Sequence, residues 1–391
     1  MRRVATAAAM FAIALALFGV LEAAVRVRDR IRFGRWMVTP AVERYVEARR
    51  LLEIVMPHPY LIGVLRPGGA TAARGRGAGV NSHGYRGAEF ASPKPPGVVR
   101  VLAIGGSTTF DVCVTNDDAM WPRQLEKFLA QRFPGTTIEV VNGGHPGYTT
   151  IEMLLKLQII DLDIVQPDVV VVFAGLNDLQ PSAAPGFRAD YTVGHAEIQR
   201  RFLGFESRPP ALLARSLLLA KIHAKLGDTP PEMPDTPRSD RTLPEAEAVY
   251  RERLGEIARV ARARGADVVF VTQQIRFGPD RPITLADSIS AHRWLPYLTV
   301  DGMIAGMARY NAITREVADS LEAPLVDVAA NLATADTDFA DYCHWTDEGA
   351  AKMARFVAAA LPESLIAFDA REAEGVATNG ASAAALPAAS R

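Results

Sequence analysis

The sequence predicts an α/β fold, a five-stranded parallel sheet doubly wound by helices, with one transmembrane helix ahead of it. Three observations predict it. Beyond residue 97 short β-branched apolar runs alternate with longer helical patterns, small polar loops follow several of the runs, and an apolar stretch opens the chain. A run of five or so apolar residues is too short for a helix and right for a strand buried on both faces.

The elements follow in order. Residues 4–21 are apolar apart from Thr6, with Arg2 and Arg3 before them and Glu22 and Arg26 after. That length roughly spans a hydrocarbon core. A cleaved signal would show a shorter apolar core and a small-residue cleavage site, whereas here the helical pattern runs on through Arg28 and Arg32. An uncleaved anchor over 1–25 is therefore expected, a signal peptide or a buried soluble helix being the alternatives. Arg2 and Arg3 place the N-terminus inside, while Arg26, Arg28, Arg30, Arg32 and Arg35 argue the opposite orientation. Residues 26–96 read as a stalk and then a Gly-, Pro- and Ala-rich approach, of which Asn81-Ser82-His83-Gly84-Tyr85-Arg86-Gly87 is patterned enough to pack on the domain.

The domain itself is expected over 97–366. Strands are predicted at 99–104, 137–141, 168–173, 267–272 and 324–328, and helices at 119–133, 150–162, 244–264, 302–321 and 346–360. This alternation points to a flavodoxin-like sheet, whose ligand site lies at the carboxyl ends of its strands. The connection 180–243 is too long for a plain crossover. Its apolar helical middle, 211–226, and proline-rich end, 229–237, read as an inserted lid or docking helix followed by a mobile linker. The Ala-, Ser- and Gly-rich tail, 367–391, reads as disordered.

Composition excludes several functions. A net charge of -1 over 391 residues gives no reason to expect nucleic acid as a partner. Two cysteines, Cys113 and Cys343, exclude a disulfide-rich scaffold and a cysteine-ligated structural zinc. His58, His83, His195, His223 and His292 show no metal-ligand spacing, and His145 is placed only as a pocket-lining residue.

The chemistry lies in four loops: Gly105-Gly106-Ser107-Thr108-Thr109, Asn142-Gly143-Gly144-His145-Pro146-Gly147, Gly175-Leu176-Asn177-Asp178 and Asp341-Tyr342-Cys343-His344. Singly each has a plain reading: a phosphate-cradling turn, a turn glycine, a loop cap, a capping aspartate with a surface histidine. Together they supply a set. A serine hydroxyl needs a base to take its proton, and the base needs a third group to hold its tautomer. Ser107, His344 and Asp341 are those groups, and one turn can present both Asp341 and His344. An oxyanion needs fixed donors, for which the Ser107 and Gly147 amides and the Asn177 side chain serve. Asp178 is expected to tie its loop by hydrogen bonds.

In this order the loops resemble the four motif blocks of the SGNH/GDSL hydrolase superfamily, over residues from about 100 to 361. The resemblance implies the SGNH fold, a serine esterase forming an acyl-enzyme, and no metal or organic cofactor. It carries Ser107 to the nucleophile block, Gly147 and Asn177 to the glycine and asparagine blocks, and Asp341 and His344 to the Asp-x-x-His block. Gly106 departs from Gly-Asp-Ser at the middle position and leaves the nucleophile intact. Residues 81–87 also resemble what precedes the domain in membrane-anchored bacterial relatives, which implies a catalytic domain outside the cytoplasm. The expected substrate is an acyl ester or an acylated glycan. An O-acyltransferase of surface polysaccharide would use the same triad, and a catalytically silent scaffold is the third reading. Cys113 follows Ser107 by six positions and Cys343 directly precedes His344, so they are either neighbours able to form a bracing disulfide or two separate thiols. Oligomeric state is not legible.

Overall fold

The computed structural model describes residues 2–33, 36, 39, 53–71, 78–196, 199, 211, 215–225, 237–278 and 280–366. Two compact units divide the chain: Met1–Leu52 with Arg200–Asp235, and Glu53–Gln199 with Thr236–Arg391.

The larger unit is built on five parallel strands, β1 (Val98–Gly105), β2 (Thr137–Asn142), β3 (Val169–Phe173), β4 (Asp267–Val271) and β5 (Leu325–Val326). Their spatial order is β2-β1-β3-β4-β5. This is the doubly wound flavodoxin-like order that the alternation predicts. Side chains alternate across the sheet and so feed two cores. Leu102, Ile104, Val170, Val172, Val268 and Phe270 face one side, with helices α3 (Thr150–Lys156), α4 (Pro244–Arg262) and α6 (Val300–Ser320). Val99, Val101, Ala103, Val169, Val171 and Val269 face the other, with α2 (Trp121–Arg132) and α7 (Asp347–Ala360). Burial on both faces is why β3 reads as an unbroken apolar run, each large side chain contributing roughly 1.5–3 kcal/mol, whereas Arg100 interrupts β1 and Glu139 the partly exposed edge strand β2.

The boundaries differ from expectation where a local cap intervenes. β5 stops at Val326 because the Asp327 side chain accepts from Ala330 N and starts the short helix Val328–Asn331. An unanticipated helix, α5 (Leu285–Trp294), begins where Thr284 accepts from Asp287 N. The patterned approach segment is explained: Asn81 Oδ1 accepts from His83 N (3.1 Å) and Tyr85 N (2.9 Å), closing a tight loop. That loop presents Tyr85 to Asp161 (2.6 Å) and sends Arg86 to the Phe110 carbonyl, in the turn that follows the first strand.

The smaller unit contains the N-terminal helix (Arg2–Phe33), long and apolar enough to cross a membrane, and the insertion helix (Leu217–Lys225) within the expected helical stretch. Most of the stalk from residue 34 to 52, the rest of 200–236 and the tail from 367 lie outside the described residues.

Candidate active site

The first three loops leave β1, β2 and β3 at the carboxyl end of the sheet, and the fourth, Asp341 to His344, follows β5 after a short helix and a turn. β1 runs into Gly106 and the one-turn helix α1 (Ser107–Phe110), which puts Ser107 at the first helical position. There its amide has no acceptor within the helix. The far end of the turn is clamped by Arg86, buried, whose guanidinium donates to Phe110 O (2.7 Å), Asp111 O (2.7 Å) and Asp117 Oδ1 (2.9 Å). Asp111, in left-handed backbone (φ 69°), accepts from Trp121 N (2.7 Å), and burial pushes its carboxyl up to about 8. A cation at a turn's carbonyl end is favourable, so Arg86 holds the segment that carries Ser107.

His344 Nε2 lies 2.7 Å from Ser107 Oγ, and its Nδ1 lies 2.7 Å from Asp341 Oδ2. Asp341 Oδ1 accepts from the Cys343 and His344 amides, each at 2.9 Å, so a four-residue turn orients carboxylate and imidazole together. Burial alone would raise the Asp341 carboxyl. The hydrogen bond and charge of His344, with the two amides, outweigh it and bring the value down to about 2. The Cys113 sulfur lies within 4.8 Å of ligand atoms of Asp341 and His344, a grouping that could hold a metal in isolation. Both imidazole nitrogens are already committed to Ser107 and Asp341, which does not fit a metal ligand. Cys343 Sγ is 3.6 Å from His344 Nδ1, and no disulfide joins the two thiols.

On the other side of Ser107, Asn177 Nδ2 donates to Tyr148 O (2.8 Å) and Asn177 Oδ1 accepts from Trp294 Nε1 (2.9 Å). The two bonds fix which way the amide faces. A Cβ at position 106 would stand 2.3 Å from Asn177 Nδ2. Glycine at 106 thus leaves room for the asparagine amide against the serine turn. Gly147 has φ +85°, and the space a side chain would need there is filled by Gln199, whose Nε2 donates to Gly147 O (3.0 Å). Asp178 accepts from Thr150 N (3.1 Å), Thr150 Oγ1 (2.6 Å) and Tyr191 OH (3.2 Å), joining the asparagine loop to the glycine loop. Burial pushes its carboxyl up to about 6, with the Thr150 bonds pulling the other way. His145 is buried, stacked on Tyr148, and burial pushes its imidazole down to about 3. A cavity is lined in part by Gly106, Ser107, Tyr148, Leu176, Asn177 and Gln273.

The structure therefore brings Ser107, Asp341, His344, Gly147 and Asn177 to one edge of the sheet. Sequence reasoning missed Arg86, Gln199 and Trp294. The Thr284-x-x-Asp287 capping pattern could have flagged the helix that delivers Trp294.

A hydroxyl, an imidazole and a carboxylate in one hydrogen-bonded line, beside fixed amides at the strand ends, is the layout of a serine hydrolase. The chain belongs to the GDSL-like lipase/acylhydrolase family, whose model matches residues 103–352. It is accordingly a hydrolase acting on ester bonds. Among solved structures it is similar to an alpha/beta hydrolase enzyme from the metagenome of Lake Arreo, Spain, at 19% identity over 69% of this chain and 96% of that one, TM-score 0.40. It is also similar to the lipase/acylhydrolase from Enterococcus faecalis, at 16% identity over 67% and 94%, TM-score 0.39. A variant of an acetyl xylan esterase from Geobacillus stearothermophilus is similar at 13% identity over 66% and 92%, TM-score 0.39. No curated protein matches the chain.

Proposed function

We propose that the protein is a membrane-anchored serine esterase in which Ser107, His344 and Asp341 form the catalytic triad. The observation that carries this is the pair of 2.7 Å contacts that runs from Ser107 through His344 to Asp341. Ser107 Oγ attacks the ester carbonyl as His344 Nε2 takes its proton, and the Asp341 carboxylate, ionised at any ordinary pH, stabilises the imidazolium. The oxyanion is met by the Ser107 and Gly147 amides and by Asn177, one of whose two amide hydrogens is spent on Tyr148 O. The tetrahedral adduct collapses as His344 returns the proton to the departing alkoxide, leaving an acyl-serine. Water, deprotonated by His344, then releases the acid.

In this reading residues 1–25 are the anchor, 26–96 the stalk and approach, of which the part from Glu53 on packs into the catalytic unit, 97–366 the remainder of the catalytic domain with its insertion at 180–243, and 367–391 a tail. The catalytic domain lies outside the cytoplasm, a placement that a C-terminal reporter active only in the cytoplasm would overturn. The substrate is an acyl ester or an acylated glycan.

The test is hydrolysis of short p-nitrophenyl esters by the full-length chain in detergent. Tyr85 and Arg86 belong to the catalytic unit, so a fragment starting at residue 97 would lack them. Ser107→Ala is expected to lower kcat by about 10⁶-fold, to background. Turnover surviving in the variant would sink the assignment, and transfer of the acyl group to an added sugar in preference to water would convert it to a transferase.

A further inference from the structure

Two acids follow the apolar stretch of the N-terminal helix, Glu22 and Asp29. Seven residues make nearly two helical turns, so both lie on one face. That face is engaged. Glu22 Oε1 accepts from Leu217 N (3.0 Å), and Oε2 accepts from Leu218 N (2.8 Å) and Ser216 Oγ (2.8 Å). These are the opening groups of the insertion helix, whose first amides have no acceptor of their own and whose positive end favours a carboxylate. One turn further on, Lys221 Nζ reaches Asp29 Oδ2 (2.9 Å), while Arg28 takes the other oxygen (2.9 Å). Asp29 is only 1% exposed. Arg26 completes the set, donating to Glu22 (2.7 Å) and to Arg215 O (2.9 Å).

A helix of nine residues is marginal alone in water, so the insertion helix needs this partner. The partner is equally dependent, because a carboxylate as buried as Asp29 is tolerable only when paired. We propose that residues 22–29 of the N-terminal helix are the docking platform of the insertion helix, and that the N-terminal helix is therefore kept in the mature protein as a permanent structural member. This rests on reading residues 4–21 as a membrane anchor. Removal of a leader just beyond the apolar stretch would take Glu22 away and uncap the insertion helix.

The test is zero-length cross-linking of the full-length chain in its membrane with a water-soluble carbodiimide. The reagent activates the Asp29 carboxyl, the Lys221 amine attacks, an amide forms and the activating group leaves as a urea. Peptide mass spectrometry is expected to find Asp29 joined to Lys221, and to lose that product in Lys221→Arg, which keeps the charge but not the reactive amine. The ion pairs Lys94 with Asp168 and Lys352 with Asp338, both inside the catalytic unit, report that the reagent works. If those products form and the Asp29 product does not, the docking proposal is overturned while the anchor stands. If membrane-bound mature protein lacks the peptides before Glu22, both fall together.

Discussion

The two sides of Ser107 are held in place by different means. The side proposed for acid–base work is a local turn: Asp341 accepts from the amides of Cys343 and His344 and from the His344 imidazole. The side proposed to hold the oxyanion is a long-range assembly. Asn177 is fixed by Tyr148, 29 positions away, and by Trp294, 117 positions away. Asp178 is tied to Thr150, 28 positions away. Each side also carries one aspartate, and the two respond oppositely to their surroundings: Asp341, partly exposed and facing an imidazole, falls to about 2, and Asp178, fully buried and facing hydroxyls and an amide, rises to about 6. Residue type alone therefore says little about charge, and what faces the carboxyl decides it.

The largest break comes from the local side. Asp341→Asn keeps the shape of the turn but removes the charge and favours the wrong imidazole tautomer, so kcat should fall about 10⁴-fold. Circular dichroism should stay near wild type, while Tm should fall because the stabilising contribution of the carboxylate is lost. A loss below roughly tenfold in ester hydrolysis would mean that the carboxylate does not serve His344.

Asn177→Ala attacks the assembled side. Removing one preorganised donor should lower kcat by about 10²–10³-fold with little change in KM. The variant also leaves the Trp294 N–H without its acceptor, so a modest drop in Tm should accompany it. An unchanged kcat would place the oxyanion elsewhere.

The same contrast explains what could be read from the chain. Asp341 and His344 were legible because their relation is a spacing of three. The sheet was legible because its inner strands are buried on both faces, as in the run Val169–Phe173, where every residue is buried. Ser107, Gly147 and Asn177 were legible as small residues after strands, by position and by resemblance. Arg86 and Trp294 were not. Arg86 acts through carbonyls 24 and 25 positions away, and Trp294 arrives on a helix that begins with a side-chain cap and is only weakly amphipathic. Contacts of that kind are set by packing of the finished fold, which no local pattern encodes.

Trp294→Phe sharpens the comparison by removing one hydrogen bond while keeping the aromatic ring. Without the indole N–H, the Asn177 amide loses the partner that fixes its face, and its Nδ2 donors lose the polarisation that a bond to Oδ1 confers. One hydrogen bond of about 1 kcal/mol corresponds to a drop in kcat of roughly fivefold. KM should hold, which separates orientation of the amide from reshaping of the pocket. A rise in KM at constant kcat would assign Trp294 to substrate binding instead.

A last effect, on stability rather than on rate, follows from the opposite shifts of the two aspartates. For Asp178 the folded value is raised from 3.8 to about 6, so the folded state holds its proton more tightly than the unfolded chain. Its contribution is fully present below pH 3.8 and is lost as pH rises toward 6, a change of roughly 3 kcal/mol at most. Asp341 has the reverse sign: its contribution is present above pH 3.8 and is lost as pH falls through about 2. Asp178→Asn preserves an acceptor for Thr150 and cannot ionise, so the stability difference between wild type and variant should shift by up to roughly 3 kcal/mol between pH 4 and 6, while Asp111 and His145, shifted to about 8 and about 3, titrate alike in both proteins. Urea denaturation of both proteins across pH 3 to 7 measures this directly. If the wild type and the variant ran parallel from pH 4 to 6, Asp178 would be ionised throughout and the loop it ties would be held by charge, as the acid–base turn is.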